Sequence, residues 1–274
     1  MPNDRNLLLK LENLSARIGR QVVLSNVSLS IKTGECVAVV GGSGAGKSTL
    51  LRCLMGLTRP ASPFEGRLVF NGKETHFPLL QNARKPERIA YVPQNPDQGF
   101  DPLKRLAWQW RQASRIITGA SDFTDRQKQL LEQLGLKPFG RSFPHEWSRG
   151  MQQRLLVAMA LIGEPRLLIL DEPTSALDPL IAAQVLRAVK AYAELHDIAV
   201  LIVTHDLSLA ARNAHSTAIM NSGRVVEFGE TATLLSSPQS DYGRLLVKHR
   251  DWTVLSNPQS SGSITAEQSF DAVS

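Results

Sequence analysis

The amino-acid sequence predicts an α/β fold in which a mostly parallel central sheet is covered by helices on both faces. Short apolar runs that are typical of buried strands occupy residues 36–40, 167–170 and 198–203. A helical pattern lies between the last two runs, with Asp178 as its expected cap and Pro179 in its first turn. Strands that alternate with helices pair in parallel, because each helix carries the chain back across the sheet.

Four further elements follow from local patterns. Apolar residues alternate with serines over residues 27–31, which predicts a half-buried strand. A glycine-rich segment leads into an apolar run at residues 50–57, which we expect to open a helix. Asn71-Gly72 follows another short apolar run and predicts a hairpin turn. The stretch Ile89–Val92 is expected to be a strand that ends before a proline.

Length and charge limit the function without selecting it. A chain of 274 residues allows one large domain or two small ones. The net charge of +6 fits an anionic partner such as a nucleotide, a nucleic acid or a lipid headgroup, but it also fits an ordinary solvated surface. Cys36 and Cys53 are too few for a disulfide framework or a four-cysteine metal site. Because no apolar run approaches the ~18 residues of a membrane span, we expect a soluble chain whose membrane role depends on a partner.

A glycine-rich motif carries the clearest chemical signal. It matches the pattern G-x-x-x-x-G-K-[ST] and lies between a predicted strand and a predicted helix. Glycines allow backbone N–H groups to turn inward around phosphate oxygens, and the helix N-terminus adds positive potential. We expect Lys47 to reach the outer phosphates and Ser48 to bind Mg²⁺. The predicted phosphate-binding residues are Gly41, Gly42, Ser43, Gly44, Ala45, Gly46, Lys47, Ser48 and Thr49.

Two adjacent carboxylates end the strand at residues 167–170. Asp171 is predicted to belong to the Mg²⁺ shell, and Glu172 is placed to polarise an attacking water. The carboxyl end of a strand is where open α/β sheets bind their ligands. Taken alone, the pair also fits a turn cap beside a solvated carboxylate; the neighbouring glycine-rich motif favours the catalytic interpretation.

Further motifs resemble those of ATP-binding-cassette (ABC) ATPases, in the same order and spacing over residues 7–230. Ser148-Arg149-Gly150 resembles the start of the signature motif of this family, and residues 173–178 resemble its D-loop. Gln94 occupies the position of the Q-loop glutamine, and His205 that of the switch histidine. The resemblance implies a P-loop ATPase fold with an antiparallel β subdomain and an inserted helical subdomain.

The resemblance also implies roles for these residues. His205 is expected to contact the γ-phosphate of ATP, and Gln94 to join the Mg²⁺ and water network. Ser148 and Gly150 are expected to act on ATP bound by the other subunit of a head-to-tail dimer, with Asp178 of the D-loop also in contact with nucleotide. Glu172, His205 and Gln94 are therefore the predicted catalytic residues, and Ser48, Gln94 and Asp171 the predicted metal-binding residues.

Three positions depart from the family pattern, the first being Trp147, where the signature motif usually has leucine. Arg149 stands where these proteins usually have glycine, so its side chain either obstructs the phosphate or adds a charged contact to it. We favour a weakened or asymmetric site, completed by a different ATPase subunit. Ile18 stands where an aromatic residue usually stacks on adenine, which predicts weaker or less selective nucleotide binding.

Two segments of the sequence indicate a branch of the family. Residues 94–102 and 237–246 resemble the corresponding segments of oligopeptide, dipeptide and nickel importers. The helical block containing Trp108 and Trp110 is expected either to form a groove for a membrane permease or to use these tryptophans as anchors of its own core. We therefore expect an ATPase subunit that powers import of peptides, nickel or a metal chelate. A degenerate half that binds ATP and hydrolyses little of it is the alternative.

The expected setting is the cytoplasmic face of the inner membrane. The expected partners are permease subunits, a second ATPase subunit in a heterodimer or a homodimer, and indirectly an extracytoplasmic solute-binding protein. Nucleic acid is not an expected partner, because the chain has neither a long coiled-coil insertion nor a second cassette. We expect one nucleotide-binding domain over residues 1–256, with a helical subdomain at about 98–163 and a disordered tail over residues 257–274.

Overall fold

A computed structural model describes residues 6–57, 59–78, 86–120, 123–136, 139–175 and 177–248 of the chain. Two sheets organise these residues. The strands of the first sheet are β1 (Leu7–Ile18), β2 (Gln21–Lys32), β4 (Ser62–Phe70) and β5 (Lys73–His76). They pair in the order β2-β1-β4-β5, and every pairing is antiparallel.

The second sheet is mostly parallel, as the sequence predicts. Its strands are β3 (Cys36–Val40), β6 (Ile89–Val92), β7 (Leu167–Asp171), β8 (Ala199–Thr204), β9 (Ser216–Asn221) and β10 (Arg224–Glu230). Their spatial order is β10-β9-β3-β8-β7-β6, and only β10 runs antiparallel to its neighbour. The α/β fold class, with a mixed sheet and a separate antiparallel sheet, is confirmed.

Helices cover both faces of the second sheet. They are α1 (Lys47–Leu54), α2 (Leu106–Thr118), α3 (Asp125–Gln133), α4 (Arg149–Leu161), α5 (Pro179–Leu195), α6 (Leu207–Asn213), α7 (Thr231–Ser236) and α8 (Asp241–Lys248). Among the residues that the structure describes, no helix is both long enough and apolar enough to cross a membrane.

Period-two alternation along the central strands divides the core into layers. In β7, Leu167 and Ile169 face a core shared with α1 and the antiparallel sheet. Leu168 and Leu170 face the opposite core, which is shared with α2, α4 and α5. Strands buried on both faces read as continuous apolar runs, which is why the sequence pattern located them.

Several local predictions are confirmed, and one boundary shifts. Asn71 and Gly72 join β4 to β5 with φ angles of 49° and 75°, as a tight hairpin turn requires. The helix expected at residues 50–57 is α1, which begins at Lys47 and ends at Leu54. The predicted start lies too late because the first turn of α1 is polar, and an apolar run marks only the part of a helix that follows such a turn.

The helical stretch decides between the two roles expected of its tryptophans. Helices α2, α3 and α4 lie within residues 98–163, as expected. Trp110, however, is fully buried and stacks on Phe123 at 5.5 Å between ring centroids, so it anchors this core and cannot line a permease groove. Trp108 is 48% exposed, with Lys104 above its ring. The groove prediction therefore rests on Trp108 alone.

The division of the chain into a domain over residues 1–256 and a tail over residues 257–274 stays a prediction, and the tail lies outside the described residues. The strands β9 and β10 and the helices α6, α7 and α8 were not foreseen from local patterns. They are short and follow β8, and α8 proves to contact the phosphate-binding loop.

Candidate active site

The glycine-rich motif forms a loop between β3 and α1, where the backbone itself is the functional surface. A Cβ atom at Gly41 would lie 2.4 Å from the carbonyl oxygen of Met220, so only glycine fits against β9. Gly46 has φ of 100°, in the left-handed region that other residues rarely adopt. These constraints explain why the loop needs glycine where it leaves β3 and where it enters α1.

Lys47 is folded back over this loop. Its Nζ atom donates hydrogen bonds to the carbonyl oxygens of Gly41 at 2.8 Å and Gly42 at 3.0 Å. Burial lowers the pKa of Lys47, while the nearby charges of Glu172 and Asp171 act in the opposite direction. A buried ammonium group near two carboxylates is well placed to exchange its carbonyl partners for phosphate oxygens.

An open cleft of about 380 Å³ lies beside the loop. Its walls come from the loop, the start of β2 and the turn between β9 and β10. The lining residues are Gln21, Val22, Val23, Gly44, Ala45, Gly46, Lys47, Ser48, Thr49, Ser222 and Gly223. Ile18 is 41% exposed and pairs with Gln21 across the β1–β2 hairpin, which places it next to one wall of the cleft.

Asp171 ends β7 and has a partner that the sequence analysis missed. The hydroxyl group of Tyr91 donates a hydrogen bond to Oδ2 of Asp171 at 3.0 Å. Burial raises the pKa of Asp171, and burial together with Asp171 raises the pKa of Tyr91 to about 12. The sequence offers one sign of this contact, a tyrosine in the otherwise apolar strand β6. That sign points to Asp171 only when the pairing of β6 with β7 is known.

Glu172 is the acceptor on which the predicted catalytic residues converge. Its Oε2 atom accepts a hydrogen bond from Nε2 of Gln94 at 3.0 Å and lies 3.1 Å from Nδ1 of His205. Gln94 Nε2 also lies 3.3 Å from Oγ of Ser175. Glu172 has φ of 42°, a strained backbone conformation of the kind that clusters at functional sites.

Strand order explains why these distant residues meet. The loop follows β3, and His205 follows β8. Asp171 is the last residue of β7 and Glu172 the next residue, while Gln94 comes shortly after β6. These four strands are neighbours and run parallel, so their carboxyl ends meet at one edge of the sheet. The structure therefore brings the predicted phosphate, metal and catalytic residues together.

The signature residues lie on the helical side of the molecule, at the start of α4. Ser148 caps this helix, with its Oγ atom accepting a hydrogen bond from the backbone N–H of Met151 at 3.3 Å. Arg149 Nη2 lies 3.4 Å from Oδ2 of Asp97, a residue of the segment that follows Gln94. This ion pair was not foreseen, because sequence alone does not show that α4 packs against that segment.

Gly150 and Asp178 both have structural roles at helix starts. A Cβ atom at Gly150 would lie 2.3 Å from Cγ2 of Ile181, so glycine permits the close packing of α4 on α5. Oδ1 of Asp178 accepts hydrogen bonds from the backbone N–H groups of Leu180 and Ile181, which confirms the predicted cap. Contact of either residue with nucleotide stays a prediction.

Comparison with known proteins gives a consistent result. A protein-family model described as "ABC transporter" matches residues 24–175. The dipeptide transport ATP-binding protein DppD of Escherichia coli (strain K12) is 34% identical over 258 residues, which cover 88% of this chain and 77% of that protein. The oligopeptide transport ATP-binding protein OppD of Lactococcus lactis subsp. cremoris (strain SK11) is 32% identical over 236 residues, covering 83% and 70%.

Solved structures agree. The cbiO1 protein of Clostridium perfringens, described as part of the ABC transporter complex cbiONQ, superposes with a TM-score of 0.73 at 25% identity, covering 88% of this chain and 99% of that one. The cassette MJ0796, solved as a dimer in a post-hydrolysis state with ADP and Pi, gives a TM-score of 0.67 at 25% identity, covering 82% and 99%. With a family match over more than half its length, this chain belongs to the ABC transporter family as an ATP-binding and ATP-hydrolysing domain.

Proposed function

We propose that this chain is the ATPase subunit of a binding-protein-dependent peptide importer. The observation that carries the ATPase part is the convergence of Gln94 and His205 on Oε2 of Glu172, at the same sheet edge as the phosphate-binding loop. The dipeptide and oligopeptide transport relatives support the peptide part.

The triphosphate of ATP is held by the loop and Lys47. Backbone N–H groups of the loop bind the phosphate oxygens, and Lys47 exchanges its bonds to Gly41 and Gly42 for the outer phosphates. The Ser48 hydroxyl and the Asp171 carboxylate are oxygen donors of the type that Mg²⁺ prefers, with Gln94 nearby.

The oxygen atoms of Ser48 and Asp171 suit Mg²⁺, which usually binds through one or two protein ligands together with substrate phosphates. In the described part of the chain, no cluster of three or more His, Cys, Asp or Glu side chains could hold a metal. We expect substrate phosphates to complete the shell, as is usual for Mg²⁺. When bound, Mg²⁺ neutralises charge on the phosphates. Tyr91 keeps the Asp171 carboxylate oriented through its 3.0 Å hydrogen bond.

Glu172 acts as the general base for the attacking water. Its side chain is 18% exposed and is oriented by Gln94 on one side and His205 on the other. His205, with a side chain that is 59% exposed, would turn from Glu172 toward the γ-phosphate once ATP is bound. General-base catalysis of this kind contributes about 10²–10⁴-fold to the rate.

A head-to-tail dimer completes each site. Ser148 and Gly150 stand at the start of α4, where backbone N–H groups and the helix dipole can meet a γ-phosphate held by the other subunit. Asp178 of the D-loop belongs to the same proposed contact. The dimeric state of the MJ0796 cassette supports this arrangement.

The identity of the second subunit depends on Arg149. Its guanidinium group is paired with Asp97, and a side chain of this size at a phosphate-facing position favours an asymmetric dimer with a different ATPase subunit. A homodimer remains the alternative. Arg149→Gly should raise the ATPase rate of the purified chain alone. A normal rate in the wild type that Arg149→Gly leaves unchanged would contradict the asymmetric dimer.

The proposed membrane partners are permease subunits, reached through the exposed face around Trp108 on the helical block. Import would also depend on an extracytoplasmic solute-binding protein, and the chain would act at the cytoplasmic face of the inner membrane. Nucleic acid is not part of the proposal. Organisation as one nucleotide-binding domain, with its helical subdomain at about residues 98–163, belongs to the same proposal.

Two alternatives remain within reach of experiment. Nickel or a metal chelate could replace the peptide as cargo, which the importer-like segments of the sequence suggested. The other alternative is a regulatory half with little hydrolysis of its own, favoured by the Asp97–Arg149 pair and by the exposed Ile18.

Uptake by cells that lack the chromosomal copy of this chain tests the proposal. Cells are complemented with the wild type or with Glu172→Gln, and uptake of a labelled dipeptide is measured beside uptake of labelled nickel. The proposal predicts dipeptide uptake that needs the wild type and is lost with Glu172→Gln. Nickel uptake with that dependence, or dipeptide uptake that both versions restore equally, would reject it.

A further inference from the structure

The C-terminal helix α8 packs on the strand that leads into the phosphate-binding loop. Leu246 and Val247 contact a buried cluster that includes Ala38 and Val40 of β3. Val40 immediately precedes Gly41, the first residue of the loop. A helix some 200 residues later in the chain therefore shares a core with the base of the nucleotide site.

The start of α8 is fixed by a single carboxylate on β10. Glu227 accepts hydrogen bonds from the backbone N–H groups of Gln239 at 2.8 Å and Ser240 at 3.0 Å, and from the Ser240 hydroxyl at 2.7 Å. Gly243 is buried, and a Cβ atom there would lie 2.6 Å from Oε2 of Glu227. The helix is therefore held closely against β10 at its first turn.

Tyr242 connects this helix directly to the loop. Its hydroxyl oxygen accepts a hydrogen bond from the backbone N–H of Gly42 at 3.3 Å. A Cβ atom at Gly42 would lie 3.3 Å from the same oxygen, closer than most such contacts, so glycine allows the approach. Lys47 binds the carbonyl oxygens of Gly41 and Gly42, so the first half of the loop is held by two side chains.

We propose that Tyr242 is a positioning residue for nucleotide binding, which holds the first half of the phosphate-binding loop and couples α8 to nucleotide occupancy. The loop binds phosphate through its backbone, so any group that fixes this backbone before binding reduces the cost of ordering it. Coupling of this kind is reciprocal: nucleotide that orders the loop also strengthens the docking of α8. The inference goes beyond the proposed function, because it holds whatever the cargo is.

Tyr242→Phe tests the role of the hydroxyl group, since it keeps the ring and the packing of α8. Loss of one hydrogen bond should weaken binding of ATP and of ADP roughly two- to tenfold, measured by titration calorimetry. Hydrogen exchange of α8 is measured in parallel: nucleotide should slow it in the wild type and much less in Tyr242→Phe. Leu245→Ala, on the same helix with a 50% exposed side chain, is the matched control and should behave as the wild type does.

A double-mutant cycle with Gly42→Ala separates direct contact from a general effect on folding. The added methyl group should displace the phenol hydroxyl in the wild type but meet less obstruction in Tyr242→Phe. The two changes should therefore weaken ATP binding by less in combination than the product of their separate effects.

Two results would overturn the inference. One is an unchanged affinity in Tyr242→Phe together with unchanged protection of α8 by nucleotide. The other is a cycle in which the two effects simply multiply. Neither result would touch the proposed function, which fails instead if the wild-type chain binds ATP and yet neither hydrolyses it nor supports uptake of any of the solutes.

Discussion

Residue identity at a few positions decides how this ATPase site is assembled. Glu172 is the acceptor shared by Gln94 and His205, which are far from one another in the sequence and meet at Glu172 because β6 and β8 lie on either side of β7. Asp171 is held separately, by Tyr91. The two adjacent carboxylates therefore have different partners. This difference supports the proposal that Asp171 binds the metal and Glu172 activates the attacking water.

At the place where adenine is expected to lie, the identity of residue 18 should have a large effect on the affinity for ATP. Ile18 is exposed beside the cleft wall, and Ile18→Tyr supplies a ring that can stack on the base. Stacking is worth about 0.5–1.5 kcal/mol beyond burial, so ATP should bind roughly two- to tenfold more tightly. Titration calorimetry checks this prediction.

The matched control for Ile18→Tyr is Leu195→Tyr at the far end of α5, where the leucine is 67% exposed. It adds the same exposed ring away from the cleft and should leave the affinity unchanged. Equal affinity of the wild type and Ile18→Tyr would show that no base stacks at this position.

At the scale of elements, the start of α4 is proposed to contact ATP bound by the other subunit. The same helix packs closely on α5 because Gly150 has no side chain. Gly150→Ala places a methyl group against Ile181, and overpacking of this kind costs about 1–3 kcal/mol of unfolding free energy. Denaturant unfolding measures it. Gly140→Ala, at a glycine with open space around it, is the control and should change little.

Removal of the opposing side chain distinguishes packing against Ile181 from any other effect of alanine on α4. In the background Ile181→Ala, the added methyl group has space, so Gly150→Ala should cost little further stability. An equal loss of stability with and without Ile181 would mean that the alanine disturbs α4 in another way.

Helix α8 depends on a titratable cap, so its attachment should respond to pH. Burial acts to raise the pKa of Glu227, but the hydrogen bonds from Gln239 and Ser240 outweigh it and lower that pKa. A carboxyl group whose pKa is lowered on folding stabilises the folded state above its unfolded pKa, and this contribution is lost as the pH falls through the folded value.

Glu227→Gln should therefore lower the unfolding free energy at neutral pH by about 1–2 kcal/mol, as loss of a helix cap does. The difference from the wild type should stay constant from pH 7 to pH 5 and shrink as the pH falls below the ordinary glutamate range. Glu132→Gln on α3 is the control. A difference that grows as the pH falls would contradict the assignment.

At the scale of the whole molecule, local patterns in the sequence were sufficient for the elements that carry the site. Buried parallel strands appear as apolar runs, and the residues that follow them are those proposed to bind phosphate and metal and to act in catalysis. Trp108 and Trp110 show the limit: both are tryptophans on one helix, and only the packing reveals that Trp110 is core.

Contacts between distant segments could not be predicted from the sequence. The pairs Tyr91–Asp171 and Arg149–Asp97 depend on which strand or helix lies beside which, and no local pattern encodes this. Family resemblance located Gln94 and His205 but not their common partner atom on Glu172. The sequence pattern assigns Gly42 to the phosphate-binding loop and gives no sign that its backbone N–H is hydrogen-bonded to Tyr242.

The ATPase rate of Glu172→Gln beside that of the wild type is the most direct test of the central claim, that this chain is a hydrolytic cassette with Glu172 as its base. Glutamine keeps the size and the hydrogen-bonding reach of Glu172 but cannot accept the proton of water. We predict a rate at least about a hundredfold below the wild type, with ATP still bound and the protein accumulating as ATP-bound dimers, formed with a second ATPase subunit or with a copy of itself. Hydrolysis by Glu172→Gln at the wild-type rate would contradict the claim.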